Sequence, residues 1–216
     1  MKTRTKVLGL LMAAALLMTA TVFGTMAYLT SSDEVVNTFT VGSVAITLDE
    51  AKANADGTPA DGAVRVKANS YKLLPGHTYA KDPTVTVLKD SESAYIRMTA
   101  TFSMSRELDA IFTPGGANML SIFNGYDSAN WLYQGTTEDT AKNTRTYEFW
   151  YKEAVNTLDG KDLPLDALFD SITVPGEITK EELASIKGMT ITVNACAIQA
   201  DGFADANAAW AAFPKN

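Results

Sequence analysis

The chain has 216 residues, with 18 Lys and Arg against 25 Asp and Glu, a formal net charge of −7, one cysteine (Cys196) and one histidine (His77). The acidic balance disfavours nucleic acid as a partner, because phosphate binding needs a basic footprint. A single cysteine excludes an internal disulfide, and a single histidine excludes an ordinary His-rich zinc site within one chain.

Residues 1–27 read as an export signal, outside the fold. Lys2, Arg4 and Lys6 form a positive n-region, Val7 to Phe23 is almost wholly apolar, and Thr25-Met26-Ala27 ends on a small residue. A signal-peptidase cut is therefore expected between Ala27 and Tyr28. The apolar run is long for a signal core and short for a membrane span. A cleaved signal is the expectation; the alternative is an uncleaved anchor, and membrane contact is expected only through that segment. Taking these three cations from the 18 leaves the remainder with a formal charge of −10. Residues 28–216 are long enough for one domain with a sizeable core.

Phe39, Val41, Val44, Ile46 and Leu48 are apolar at alternate positions with one slip at Gly42-Ser43, which predicts a strand carrying a β-bulge. Residues 49–63, polar and turn-rich, predict a surface loop. Val64, Val66 and Ala68 suggest a short strand. Pro75-Gly76 marks a turn, Pro83 a strand entry, and Val85 and Val87 resume the alternation. The clearest strand is 93–104: Ala94, Ile96, Met98, Ala100, Phe102 and Met104 face one side, with Tyr95, Arg97, Thr99, Thr101 and Ser103 on the other. Residues 105–144 are mixed and predict a short element and an excursion from the main sheets. Residues 144–152 and 167–175 predict strands. In the next segment Thr179 and Glu182 form a capping box for a short helix that Gly188 ends. Residues 189–200 predict a strand with Met189, Ile191, Val193, Ala195 and Ala197 on one face, and 203–213 a closing helix that packs Trp210 and Phe213 onto the body. Strands dominate and do not alternate with helices, so the expected fold is all-β: an antiparallel, jelly-roll-like β-sandwich with a few short helices.

No catalytic, cofactor-binding or metal-binding residue is read from the sequence. HExxH and GxSxG are absent, and a Ser-His-Asp triad would have to recruit His77, which sits in a turn and reads as an exposed loop residue. Cys196 reads as a partly covered strand residue, without a second feature of a cysteine enzyme. Asp56 and Asp61 are too few ligands for calcium and read as solvated loop residues. Tyr147, Phe149 and Tyr151 share one face and read as core; a sugar or peptide platform that adds Trp150 is the alternative.

Three stretches resemble one family. Gly24-Thr25-Met26-Ala27-Tyr28 followed by Asn37-Thr38-Phe39-Thr40-Val41-Gly42 is similar to the start of the TasA/camelysin family, whose members are exported and processed by a SipW-type signal peptidase. PGHTYAKDPTVTV (75–87) with SAYIRM (93–98), and ITVNACAIQADGF (191–203) followed by Trp210, resemble that family's middle and closing segments. Residues 105–165 match nothing in the family pattern. The resemblance implies a secreted jelly-roll domain and a transient SipW-type peptidase partner. It also implies a choice of roles: TasA is a biofilm-matrix fibre protein, while camelysins are described as casein-cleaving metalloproteases. No catalytic residue carries over.

The expected function is a secreted or cell-surface structural subunit that self-associates into a matrix or surface fibre without a cofactor. After cleavage, residues 28–40 would be a donor strand for the open sheet edge of a neighbour, with Tyr28, Leu29, Val35, Val36 and Phe39 as the candidate contacts. The alternatives are a monomeric adhesion or binding module displaying loops 49–63 and 105–144, or a metalloprotease by family label. Leu163-Pro164-Leu165-Asp166 lies mid-chain and is no LPxTG signal, so covalent wall attachment is not expected.

Overall fold

Strict in–out alternation over Ala94–Ser103 produces the central strand of the molecule, β5, whose inward residues Ala94, Ile96, Met98 and Ala100 are fully buried and Phe102 nearly so. The computed structural model describes residues 42–112 and 122–214. In chain order the other strands are β1 (Ile46–Ala51), β2 (Arg65–Val66), β3 (Thr78–Ala80), β4 (Thr84–Val87), β6 (Phe123–Asn124), β7 (Trp131–Asp139), β8 (Thr144–Tyr151), β9 (Leu163–Pro164), β10 (Ser171–Thr173) and β11 (Ile191–Gln199). The helices are α1 (Ser105–Phe112), α2 (Lys180–Ser185) and α3 (Ala206–Ala212).

Three antiparallel sheets result, ordered β11-β5-β8-β7, β2-β1-β4-β9 and β3-β10-β6. The described chain is an all-β antiparallel sandwich with short helical additions. Inward residues of β5 and β8 (Tyr147, Phe149) share one core with Val85 and Val87 of β4, Phe123 of β6, Ile172 of β10, and Leu168 and Phe169 of the segment before β10. Phe123 anchors it: its ring centroid lies 4.6 Å from Phe169, 5.4 Å from Tyr147, 5.5 Å from Phe102 and 5.8 Å from Phe149, the last three edge-on. Edge-to-face packing sets a ring's positive rim against its neighbour's negative face.

α1 closes one end of this core with Leu108 and Ile111. Arg145 of β8 ties it down, gripping Asp109 through two bonds of 2.5 and 2.7 Å and Glu138 of β7 at 2.5 Å. α2 has the capping box its sequence announces, Thr179 Oγ1 accepting from Glu182 N at 3.2 Å and Glu182 Oε2 accepting from Thr179 N at 2.8 Å. Gly188 follows at φ +83°, a left-handed conformation that suits glycine. α3 lays Trp210 on the outer face of the large sheet, where the Arg97 guanidinium carbon lies 4.5 Å from the Trp210 ring centre and 4.8 Å from that of Phe213.

Four expectations need correction. Residues 42–45 form no strand and show no bulge; Phe39 and Val41 lie outside the described residues. The polar stretch 49–63 is not all loop, since β1 continues to Ala51 and buries Glu50. Within 105–144 lies a full strand of the large sheet, β7, rather than an excursion from it. The strand expected over 167–175 is only Ser171–Thr173, and Leu168 and Phe169 reach the core from irregular backbone.

Candidate functional site

β11 has β5 on one side and, among the described residues, no strand on the other. Thr190 O accepts from Ser103 N at 3.0 Å, and Ser93 O from Ala200 N at 2.7 Å. Hydrogen-bonded pairs alternate in an antiparallel ladder. That phase assigns the N–H and C=O groups of Thr192, Asn194, Cys196 and Ile198 to β5. Those of Ile191, Val193, Ala195 and Ala197 point away from it, toward the open margin.

β1 has a similar margin. Ala45 O accepts from Leu88 N at 2.9 Å, so Thr47 and Asp49 bond to β4 while Ile46 and Leu48 aim their backbone groups the other way. β2 covers only Glu50 and Ala51 on that side. Leu48 O is met instead by a side chain, Lys67 Nζ, at 2.5 Å.

The two margins line one cleft of about 350 Å³, with Leu48 to Glu50 on the β1 side and Ile191 to Val193 on the β11 side. Ile46, Leu48, Ile191, Val193, Ala195 and Ala197 pack against the core but are only partly buried. The arrangement offers backbone groups that no neighbouring strand pairs, beside half-covered apolar side chains, which is what an added β-strand satisfies.

A polar cluster closes one end of the cleft. Lys81 Nζ lies 2.5 Å from Glu50 Oε2, and Asn69 Nδ2 donates to Glu50 Oε1 at 3.0 Å. Glu50 is 6% and Lys81 8% exposed. Beside them Tyr71 donates its hydroxyl to Ala80 O at 2.7 Å and packs edge-on against Tyr79 at 5.4 Å. Burial, with the Glu50 charge adding to it, pushes the Tyr71 phenol well above its usual range.

The candidate cleavage residues Ala27 and Tyr28 and the donor candidates Leu29, Val35, Val36 and Phe39 lie outside the described residues. His77 is exposed, its Nδ1 3.4 Å from Asp56 O. The Asp56 carboxylate accepts from the Thr58 hydroxyl at 2.7 Å and the Thr58 N–H at 3.0 Å, bonds that lower its pKa. Asp61 is exposed, and Cys196 is partly covered on β11. Tyr147 and Phe149 are core, Tyr151 is half-buried against Trp131, and Trp150 turns to the other face, 6.1 Å from Trp210. Among the described residues no three His, Cys, Asp or Glu side chains gather to hold a metal ion, and no helix is long and apolar enough to cross a membrane.

Sequence reasoning passed over Glu50, Asn69 and Lys81. One signal was available: Ile46, Leu48 and Glu50 share a parity, so the alternation carried past Leu48 places Glu50 on the inward face. Comparison of the chain with protein-family models, curated proteins and solved structures finds no match.

Proposed function

We propose that this chain is a secreted structural subunit of an extracellular fibre, in which an extended N-terminal segment of one copy pairs into the cleft between β1 and β11 of the next. The observation that supports this reading is the pair of strand margins facing one cleft, each with outward backbone groups and half-covered apolar side chains. Strand addition satisfies the backbone groups and covers the apolar ones in a single step. A contact between two different surfaces, arm and cleft, does not close on itself and so grows head to tail. The donor is residues 28–36, freed by cleavage after Ala27; while joined to the signal the arm is held at the membrane, and assembly waits for the cut.

The mature protein is expected to form fibres visible by negative-stain microscopy, and a version lacking residues 28–36 to be a folded monomer with an unchanged far-ultraviolet spectrum. Fibres of normal yield from the shortened protein overturn arm donation. A mature protein that stays monodisperse at high concentration overturns the fibre reading and leaves the binding module.

A further inference from the structure

Glu50, Asn69 and Lys81 form a chemical grouping that strand addition does not use. One carboxylate holds a primary amine on one oxygen and a primary carboxamide on the other: Lys81 Nζ at 2.5 Å from Oε2 and Asn69 Nδ2 at 3.0 Å from Oε1. The carboxamide is held at both ends. Its Nδ2 also donates to Ala51 O at 2.8 Å, and its Oδ1 accepts the Ala53 N–H at 2.9 Å. The amine comes from the segment after β3, the carboxamide from the segment after β2, and the acid from β1 between them. Glu50 and Lys81 are nearly sealed from water. A buried ion pair gives little net stability, because desolvating two charges offsets most of their attraction. What the geometry does give is an amine and a carboxamide held on the two oxygens of one carboxylate, the acid standing within hydrogen-bond reach of both.

We propose that Lys81 and Asn69 form an intramolecular isopeptide bond, with Glu50 as the proton shuttle. Glu50 Oε2 takes a proton from the Lys81 ammonium, and the freed lone pair on Nζ attacks Asn69 Cγ. The C=O π pair moves onto Oδ1, where the Ala53 N–H already points and stabilises the developing oxyanion. Protonated Glu50 delivers its proton to Nδ2, whose bond to Cγ then breaks as the carbonyl re-forms. The attacking nitrogen loses a further proton as ammonia departs, so the balance is Lys–NH3⁺ plus Asn–CONH2 giving the secondary amide plus NH4⁺. No oxidant, metal or second substrate enters. All three side chains line the cleft, which gives ammonia a way out. Holding amine, acid and amide together replaces three encounters in solution with one intramolecular step. The product staples the chain on both flanks of β1 in a protein that has no disulfide of its own. It limits the unfolded chain as a disulfide does, yet resists reduction. The bond is independent of whether the chain assembles into fibres.

The test is the intact mass of the full chain purified without denaturant, together with tryptic mapping. The expected result is a mass lower by one ammonia and a branched peptide joining the segments that contain Asn69 and Lys81. Glu50→Gln, Lys81→Arg and Asn69→Ala are each expected to restore the mass calculated from sequence and give only linear peptides. A wild-type protein of unmodified mass overturns the proposal, whatever the variants do. So does an ammonia loss that maps elsewhere, for example to a succinimide at Asn124-Gly125. A branched peptide that persists at full yield in Glu50→Gln overturns the role given to Glu50.

Discussion

β5 and β11 lie side by side, paired residue for residue from Phe102↔Ile191 to Ala94↔Gln199. Both turn an apolar face inward, strictly alternating in β5 and as far as Ala195 in β11. Yet the inward residues of β5 are sealed from solvent, whereas Ile191, Val193, Ala195 and Ala197 of β11 are only partly covered. The difference is lateral position. β5 has a strand on each side, while β11 lies at a margin with no further strand among the described residues. Alternation reports which face a side chain takes; it carries no information on how many neighbours the strand has.

The same substitution on both strands tests this most strongly. Ile96→Ala should cost about 2–5 kcal/mol, the range for a buried isoleucine truncated in a packed core, and Ile191→Ala less than half as much, both read by urea unfolding. Equal costs would mean that the β11 side is as well covered as the centre. A finer test uses backbone parity on β11. Asn194→Pro removes an N–H that β5 uses, and Ala195→Pro one that faces the open cleft, so the first should be more destabilising by about 1–3 kcal/mol. The reverse order would refute the assignment of outward groups. The smallest effect on stability is expected for Lys67→Met, within about 0.5 kcal/mol. It strips Leu48 O of its ammonium partner, so turbidity or light scattering should register earlier self-association of the mature protein. An unchanged onset would show that this carbonyl is not part of the accepting edge.

The contrast also explains how much was legible in advance. β5, β8, β11 and the Thr179–Glu182 cap were readable because each depends on neighbours along the chain: alternation for the strands, a three-residue spacing for the cap. β7 was not. Past the buried Trp131, Leu132, Tyr133 and Gln134 are all exposed, so WLYQGTTED shows no alternation of buried and exposed residues, and its register against β8 shifts between Tyr133 and Gly135, the latter at φ +146°. Glu50 was assigned to a loop from its polar surroundings, although its partner Lys81 is distant in sequence and reaches it only once β1 and the segment after β3 are in place. The cleft had the same limit, because it depends on the lateral order of strands. The arm proposed to fill it rests on residues 28–40, which the described structure does not include.

The two margins of the large sheet are unequal. At β7 the Tyr133/Gly135 irregularity distorts the ladder, and such a kink discourages a newcomer from zipping along it. β11 runs through its nine residues with no such break. An added strand would therefore meet a continuous ladder at β11 and a broken one at β7, so the two rims of the large sheet are chemically unlike.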